Sequence, residues 1–381
     1  MNPGPRPPSG CPGRADAMAG WRDGHWRGAN LFQRRVGAYD TDPRLIAGGA
    51  VVPRYTTVDL EALAATGANM VVLSHPGVYT EVPPYRLDPA VTENLIDLLD
   101  QVDRAGLRAV VAMRTGPGRS EITFVRGDVG RYYAPADLIE TVWTDPVAQD
   151  AWVAMWTYLA STLGGHPAIV GYDLMVEPNA SVVVGPDDPA AFLARHRGDV
   201  ADWGGFQARL AAAVRAVDHR TPILVEPDGW ATPAWMPLLP KPSIPDTVDV
   251  VHLYTPYDYT NTPGGAGSDR AVDRFAGALR SAIEASADRG VPLAVLELGV
   301  TGDRPDGEDY LHGVLRHLER AGVSWAMWMW GPAASPGWTQ DPLALTALSG
   351  RDDPRLAVCR AHWSGPTARP ATQPAPREGG S

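Results

Sequence analysis

Short apolar runs alternate along the chain with longer segments whose apolar residues recur at helical spacing. One longer segment extends from Pro146 to Leu163, and another, PAVTENLIDLLDQVDRAG, stops on a glycine, as helices often do. Most of the apolar runs are separated by helical segments of this kind. The pattern predicts a parallel β/α fold whose strands are the eight segments WRGANLF, GANMVVLS, GLRAVVAM, AIVGYDLMVE, PILVEP, VDVVHLY, PLAVLELG and VSWAMWMWG.

The number of predicted strands distinguishes two folds of this class. Eight parallel strands close a barrel, whereas an open doubly wound sheet usually carries a glycine-rich phosphate loop after its first strand. Neither GxGxxG nor GxxxxGKS/T occurs in the sequence. We therefore predict an α/β protein with a (β/α)8 TIM barrel over residues 21–364. Residues 1–20 and 365–381 have the composition of disordered tails.

Charge and cysteine content restrict the partners of the protein. The formal net charge of −11 disfavours polyanionic partners, so we expect neither nucleic acid nor a membrane surface. Cys11 and Cys359 lie near opposite ends of the chain and outside metal-like spacing, so no disulfide framework, metal or cofactor is expected. The N-terminal segment lacks the apolar run of a secretory signal, which predicts a cytoplasmic location. The pattern does not indicate an oligomeric state.

Three glutamates stand at the predicted carboxyl ends of strands, where barrel enzymes place their active sites. Glu177 ends the fourth predicted strand, Glu226 the fifth and Glu297 the seventh. Two such carboxylates about 5–5.5 Å apart allow a glycosidic bond to be hydrolysed through a covalent intermediate. For each glutamate alone, an ordinary acid next to a loop is an equally good interpretation, but three at strand ends favour a catalytic site.

The sequences around two of these glutamates resemble motifs of glycoside hydrolase family 5, the cellulase family of clan A. GYDLMVEPN resembles the strand-four motif YDLxNEP, whose glutamate is the general acid/base. VPLAVLELGVTG is similar to the strand-seven motif PVxxGEFG, whose glutamate is the nucleophile. The resemblance covers roughly residues 24–340. It implies a retaining glycoside hydrolase that cleaves a β-glycosidic bond of an oligosaccharide or glycoside without a cofactor, with Glu297 as the ionised nucleophile and Glu177 as the protonated acid.

Further residues fall on positions of the family's site. VVHLYTPYDYTN presents His252 and Tyr254 like the family's His-x-Tyr pair, in which the hydroxyl can hold a carboxylate and the imidazole can bond a sugar or tune the acid. Asn30 in RGANLF matches the asparagine of the opening motif RGVN. Trp328 corresponds to the tryptophan beneath the cleaved sugar. Burial in the core is the alternative for His252 and Trp328, and period-two alternation predicts Trp328 and Trp330 on one face.

Three positions depart from the family pattern. Val176 replaces an asparagine that bonds the sugar 2-hydroxyl, so another group supplies this contact or the substrate differs at C2. Val72 replaces an arginine near the nucleophile. We expect Arg114, at the end of the third strand, to take over from that arginine and to lower the pKa of Glu297 by its opposite charge. The alternative is that Arg114 and Glu121 only fix the long connection that follows.

Other functions are compatible with the same residues. A transglycosidase would intercept the covalent intermediate with a sugar, and a carbohydrate-binding barrel would have lost catalysis. A metal-dependent barrel hydrolase is disfavoured because no HxH-type ligand cluster ends the first strand. Glu226 is expected to be a substrate-contacting or structural acid beside Trp230 and Trp235. The long connection over residues 114–144 is expected to shape the substrate cleft.

Overall fold

Eight parallel strands form a closed barrel in the computed structural model of the protein. The structure describes residues 17–37, 39–43, 49–186, 188–261, 267–332, 342–345 and 353–365. The strands are β1 (Arg27–Phe32), β2 (Met70–His75), β3 (Arg108–Met113), β4 (Ile169–Asp173), β5 (Ile223–Val225), β6 (Thr247–His252), β7 (Leu293–Glu297) and β8 (Ser324–Met327). Each pairs with its neighbours in chain order, and β1 also pairs with β8. The predicted (β/α)8 TIM barrel and its eight strands are confirmed.

Helices connect the strands, and their ends follow from local sequence. The helix at Pro146–Leu163 has the predicted bounds, because the Asp145 side chain accepts a hydrogen bond from the Val147 N–H and Pro146 occupies the first turn. Among the described residues, no helix is long and apolar enough to cross a membrane. The helices are α1 (Ala17–Arg22), α2 (Thr57–Ala64), α3 (Pro89–Arg104), α4 (Pro146–Leu163), α5 (Ala180–Val184), α6 (Pro189–His196), α7 (Trp203–Val217), α8 (Asp228–Ala231), α9 (Tyr257–Thr260), α10 (Ser268–Arg289), α11 (Gly307–Ala321) and α12 (Pro354–Trp363).

Helix α1 packs against the apolar side chains that fill the barrel interior. Trp21 of this helix is fully buried in that interior cluster, and its Nε1 donates a hydrogen bond to the carbonyl oxygen of Val170 at 2.9 Å. The predicted tail over residues 1–20 is therefore too long, because α1 begins at Ala17 and is held by burial of its tryptophan. The remainder of both predicted tails, residues 1–16 and 366–381, lies outside the described residues.

Close packing of β1 against β2 depends on a glycine. Gly28 pairs with Met70 in the register of these strands. A Cβ atom at Gly28 would lie 1.6 Å from the carbonyl oxygen of Met70, a distance at which the two backbones could not remain where they are. The first strand therefore requires glycine at this position for steric reasons.

The long connection after β3 contains three 3-10 turns, at Glu121–Asp128, Pro135–Asp137 and Thr141–Trp143. It is tied to neighbouring elements by tryptophans: Trp143 Nε1 donates to Asn179 Oδ1 at 2.9 Å, and Trp152 Nε1 of α4 donates to the carbonyl oxygen of Pro117 at 2.7 Å. These bonds hold the connection beside the loop that follows β4. Arg119 of the same connection donates to the carbonyl oxygen of Glu177, so the connection reaches the carboxyl end of the barrel, where the strand-end acids lie.

Candidate active site

The three glutamates predicted at strand ends converge at the carboxyl end of the barrel. Glu297 is the last residue of β7, and Glu226 directly follows β5. Glu177 lies beyond β4, because that strand ends at Asp173. One side-chain nitrogen or oxygen atom from each of Glu177, His252 and Glu297 lies within 4.8 Å of the other two. Two carboxylates and one imidazole therefore surround a single small volume.

The backbone of Glu177 adopts a left-handed conformation with φ of 51°. Such a conformation costs a residue with a Cβ atom about 1–2 kcal/mol. Two buried charged side chains stabilise it. The Glu226 carboxylate accepts a hydrogen bond from the Glu177 N–H at 2.5 Å, and the Arg119 guanidinium donates to the carbonyl oxygens of Val176 and Glu177, each at 2.6 Å. Both the backbone N–H and the backbone carbonyl of Glu177 are therefore held by hydrogen bonds.

His252, the last residue of β6, is surrounded by carboxylates. Its Nδ1 lies 2.9 Å from Glu177 Oε1 and 3.5 Å from Glu297 Oε2, and its Nε2 lies 3.1 Å from Glu226 Oε1. Burial alone lowers the pKa of His252, but the charges of Glu226 and Glu297 and the hydrogen bond to Glu177 raise it well above its ordinary value. The side chain is buried, yet its partners are the strand-end acids, and their charges favour the positively charged imidazolium.

Glu297 is buried beside one hydroxyl and two cations. The Tyr254 hydroxyl donates to Glu297 Oε2 at 3.0 Å, and Arg114 Nη1 lies 3.9 Å from Oε1. The pKa of Glu297 is raised to about 8. Burial is the largest cause, the positive charges of His252 and Arg114 oppose it, and the carboxylate of Glu177 adds to it. A pKa of about 8 favours one proton on the acids of the site near neutral pH, whereas the sequence predicted an ionised Glu297.

Arg114 lies near Glu121 and Glu297, the two carboxylates that the sequence analysis associated with it. Its Nη2 lies 3.1 Å from Glu121 Oε1 and its Nε 3.4 Å from Glu121 Oε2, so this ion pair is closer than the one with Glu297. The guanidinium also lies 3.8 Å from the ring centroid of Phe124, in the long connection. Fixing the connection and lowering the pKa of Glu297 are thus both compatible with the geometry.

The same cluster contains side-chain types that can bind a metal ion. Glu177, His252 and Glu297 are the one group, within the part of the chain that the structure describes, whose atoms are close enough together to hold an ion. A metal-binding histidine must be neutral and must offer a lone pair. Both ring nitrogens of His252 face carboxylates, and its raised pKa favours the protonated ring. The arrangement favours an ion-paired cluster over metal coordination.

Comparison with protein families agrees with this arrangement. The sequence profile described as Cellulase (glycosyl hydrolase family 5) matches residues 41–334. The chain belongs to glycosyl hydrolase family 5. The family expected from the motifs around Glu177 and Glu297 is confirmed, and with it the general class of glycoside hydrolase. A search among curated proteins gives no match.

Several solved structures of endoglucanases share the fold of this family 5 chain. The Pseudomonas stutzeri endoglucanase Cel5A is 21% identical with a TM-score of 0.66, and the alignment covers 91% of this chain and 97% of that one. The Thermotoga maritima endoglucanase Cel5A is 14% identical with a TM-score of 0.66, over 90% of this chain and 99% of that one. These identities are low, so the likeness supports the barrel fold and no finer property.

Valines occupy the two positions where the family 5 motifs have polar side chains. Val72 and Val176 are each 2% exposed and belong to the apolar cluster inside the barrel. Val176 therefore offers no polar side-chain group to a sugar 2-hydroxyl. Arg114, from the end of β3, is the arginine that approaches Glu297. The site thus combines the family's acids with a different set of neighbours.

Asn30 lies beneath the site, and its side-chain amide is hydrogen-bonded to backbone carbonyl groups. It is 1% exposed, and its amide nitrogen donates to the carbonyl oxygens of Leu296 at 2.7 Å and Met327 at 3.3 Å. Both contacts join strands β7 and β8 next to Glu297. This position favours a role in holding these strands over the predicted contact with substrate.

Trp328 lies at the site, whereas Trp330 lies in the outer core. The Trp328 ring packs against Phe32 with centroids 5.5 Å apart, in a small cluster that also includes Met329. Trp330 Nε1 donates to the carbonyl oxygen of Asp59 at 3.1 Å. The prediction that the two tryptophans share a face is wrong, because β8 ends with the residue before Trp328 and strand alternation does not continue.

Two residues of the site were not singled out from the sequence. Arg119, in the long connection, is fully buried, and burial together with the charge of Arg114 lowers its pKa to about 10. Asp173, at the end of β4, is 1% exposed, and burial and Glu226 raise its pKa well above the ordinary value. An acid within the otherwise apolar run of strand four was a visible signal for Asp173. For Arg119, the sequence offers only its place in GPGRSE.

Proposed function

We propose that the protein is a retaining glycoside hydrolase that cleaves a β-glycosidic bond of an oligosaccharide by double displacement. The observation that carries the proposal is the separation of Glu177 and Glu297, whose closest side-chain oxygens lie within 4.8 Å. Retaining enzymes hold their two carboxyl groups about 5–5.5 Å apart, whereas inverting enzymes need about 6.5–9.5 Å to admit a water molecule.

In the proposed first step, Glu297 attacks the anomeric carbon and forms an ester bond while the glycosidic C–O bond breaks. Glu177 donates its proton to the departing oxygen. In the second step, the Glu177 carboxylate takes a proton from water, whose oxygen displaces Glu297 from the anomeric carbon. The net change is addition of one water molecule across the glycosidic bond.

The distribution of one proton decides whether the first step can occur. The site retains a proton near neutral pH, and the mechanism requires it on Glu177 when the glycosidic oxygen arrives. The Tyr254 hydroxyl at 3.0 Å and the Arg114 guanidinium at 3.9 Å both stabilise the ionised form of Glu297. They therefore favour the distribution in which Glu297 is the nucleophile.

Aromatic side chains near the acids support an oligosaccharide substrate. Trp328 and Phe32 pack together on one side, and the rings of Phe124 and Trp230 lie 6.0 Å apart on the loops around Glu177. Such rings suit the C–H faces of pyranoses. Structures of P. stutzeri Cel5A with cellobiose and of T. maritima Cel5A with mannotriose support testing β-linked gluco- and manno-configured substrates first.

The test is hydrolysis of a panel of aryl β-glycosides that differ at C2 and C4, with Glu177→Ala and Glu297→Ala as variants. Sodium azide should restore turnover of activated substrates to both. Glu177→Ala should yield the β-glycosyl azide, because azide attacks the covalent intermediate, and Glu297→Ala should yield the α-glycosyl azide by direct attack. The anomers are identified by proton NMR.

Each alternative function has its own outcome in this assay. Transfer to an added sugar acceptor in preference to water would identify a transglycosidase. Absence of turnover on every glycoside, in a folded protein that still binds oligosaccharides in calorimetry, would identify a carbohydrate-binding barrel. The same azide anomer from both variants would contradict the roles assigned to Glu177 and Glu297.

A further inference from the structure

Glu226 makes two contacts with the proposed catalytic cluster while remaining out of reach of a substrate. It is 1% exposed, its Oε2 accepts the backbone N–H of Glu177 at 2.5 Å, and its Oε1 lies 3.1 Å from His252 Nε2. The first contact fixes a left-handed main chain, and the second places a negative charge beside the imidazolium. One buried carboxylate thus acts on both the geometry and the charge of the cluster.

Asp173 lies behind Glu226 as its hydrogen-bond partner. Asp173 Oδ1 is buried and finds no donor among the described residues. Two carboxylates cannot bond each other unless a proton lies between them, because both otherwise only accept hydrogen bonds. Burial and the neighbouring Glu226 also raise the pKa of Asp173 well above its ordinary value. Glu226 has a donor at each oxygen, the Glu177 N–H at Oε2 and His252 Nε2 at Oε1, whereas Asp173 Oδ1 has none, so Asp173 is the neutral member of the pair.

We propose that Glu226 is a positioning residue that fixes the backbone of Glu177 and keeps His252 charged, and that Asp173 holds Glu226 by donating a hydrogen bond to it. The kinetic part of this proposal rests on the proposed hydrolase function. The structural part does not, since it concerns the protonation of His252 in the protein without substrate.

The charges around His252 determine how the proposal can be tested. Glu177, Glu226 and Glu297 face the imidazole from the loops and strands packed around it, and Asp173 lies behind Glu226 at the end of β4. Removing one negative charge from this set lowers the pKa of the remaining groups, including that of His252. Removing a group that is already neutral leaves the proton affinity of His252 as it was.

Two conservative variants separate the roles. Glu226→Gln keeps an amide oxygen that can accept the Glu177 N–H but removes the charge beside His252. Asp173→Asn has the shape of a neutral aspartic acid and can still donate to Glu226. Asp249→Asn is the matched control, because Asp249 is a fully buried acid on β6 that pairs with Arg289 at 2.9 Å.

The first readout is the ionisation of His252 in the intact protein, followed by NMR of ¹⁵N-histidine as pH is varied, with His252→Gln used to assign the signal. Glu226→Gln should move the titration midpoint to lower pH by about one unit or more, because an opposite charge at hydrogen-bond distance is lost. Asp173→Asn and Asp249→Asn should titrate like the unchanged protein. A wild-type midpoint in Glu226→Gln overturns the role of Glu226, and a lowered midpoint in Asp173→Asn overturns the neutral state of Asp173.

The second readout is the pH profile of kcat/KM on an aryl β-glycoside that the wild-type enzyme hydrolyses. Its basic limb should move to lower pH in Glu226→Gln and stay in place in the control. Glu226→Ala should lower kcat on the order of 100-fold, since the Glu177 N–H loses its acceptor and the acid is misplaced, while Glu226→Gln retains more of it. Equal kcat in the two variants contradicts positioning. Failure of the wild-type protein to hydrolyse any glycoside counts against the proposed function alone, because the NMR titration is independent of it.

Discussion

Replacing Arg114 by methionine removes a buried positive charge while keeping a long apolar side chain next to Phe124. The guanidinium lowers the pKa of Glu297, so its loss raises that pKa and reduces the fraction of ionised nucleophile at a given pH. We therefore expect the acidic limb of the kcat/KM profile to move to higher pH. The limb reports ionisation in the free enzyme, for which the contacts described above apply.

The size of this shift follows from the distance. Arg114 Nη1 lies 3.9 Å from Glu297 Oε1, and two unit charges about 4 Å apart attract by about 4 kcal/mol at an effective dielectric constant of about 20. Glu121, 3.1 Å from the same guanidinium, cancels part of the field at Glu297. If it cancels about half, about 2 kcal/mol remains, which corresponds to about 1.5 pH units.

Glu121→Gln is the control, because it breaks the ion pair of the long connection and leaves the charge of Arg114 in place. Both variants are assayed on the same aryl β-glycoside across the pH range. Loss of the negative charge in Glu121→Gln should leave the acidic limb in place or lower it slightly, opposite to the shift in Arg114→Met. If both variants lose kcat to the same extent and neither moves the limb, Arg114 only fixes the connection and the electrostatic reasoning is refuted.

Three further predictions concern single side chains. Tyr254→Phe should lower kcat/KM about 10- to 100-fold and move the acidic limb of its pH profile to higher pH, because a hydrogen bond of about 1.5–3 kcal/mol to ionised Glu297 is lost. Steady-state kinetics in which the acidic limb does not move would contradict this role of Tyr254. A neutral Asp173 keeps a proton in the folded protein that the unfolded chain releases above about pH 4. In urea denaturation, the stability of the wild-type protein should therefore fall relative to that of Asp173→Asn between about pH 5 and pH 7. A stability difference that stays constant with pH would contradict a neutral Asp173. Gly28→Ala should lower the free energy of unfolding by about 1–3 kcal/mol or more, because the new Cβ would overlap the carbonyl oxygen of Met70; an unchanged urea midpoint is the contrary result.

The fold was predictable because its signals are local. Each barrel strand is a short apolar run bounded by polar or glycine-rich loops, and each helix repeats apolar residues at its own period. The α4 bounds at Pro146–Leu163 follow from an aspartate cap, a proline in the first turn and a terminal glycine, all of which are visible in the sequence. The predicted N-terminal tail wrongly included residues 17–20, because composition indicated a tail but did not show that Trp21 enters the barrel.

The acids themselves were also predictable, since the carboxyl ends of parallel strands meet at one end of a barrel and the motifs around Glu177 and Glu297 carry the family resemblance. The residues that contact these acids were only partly predictable from the sequence. The His-x-Tyr spacing indicated His252 and Tyr254 correctly as neighbours of the glutamates.

What only the tertiary structure decided is how each side chain of the site is held and charged. The left-handed backbone of Glu177 is stabilised by Glu226 and by Arg119, which comes from a different loop, and Asn30 is used by strands β7 and β8. Burial and Glu226, which is distant in sequence, raise the pKa of Asp173. Periodicity and caps are set by residues adjacent in the chain, whereas hydrogen-bond partners, burial and local charge depend on residues that folding brings together.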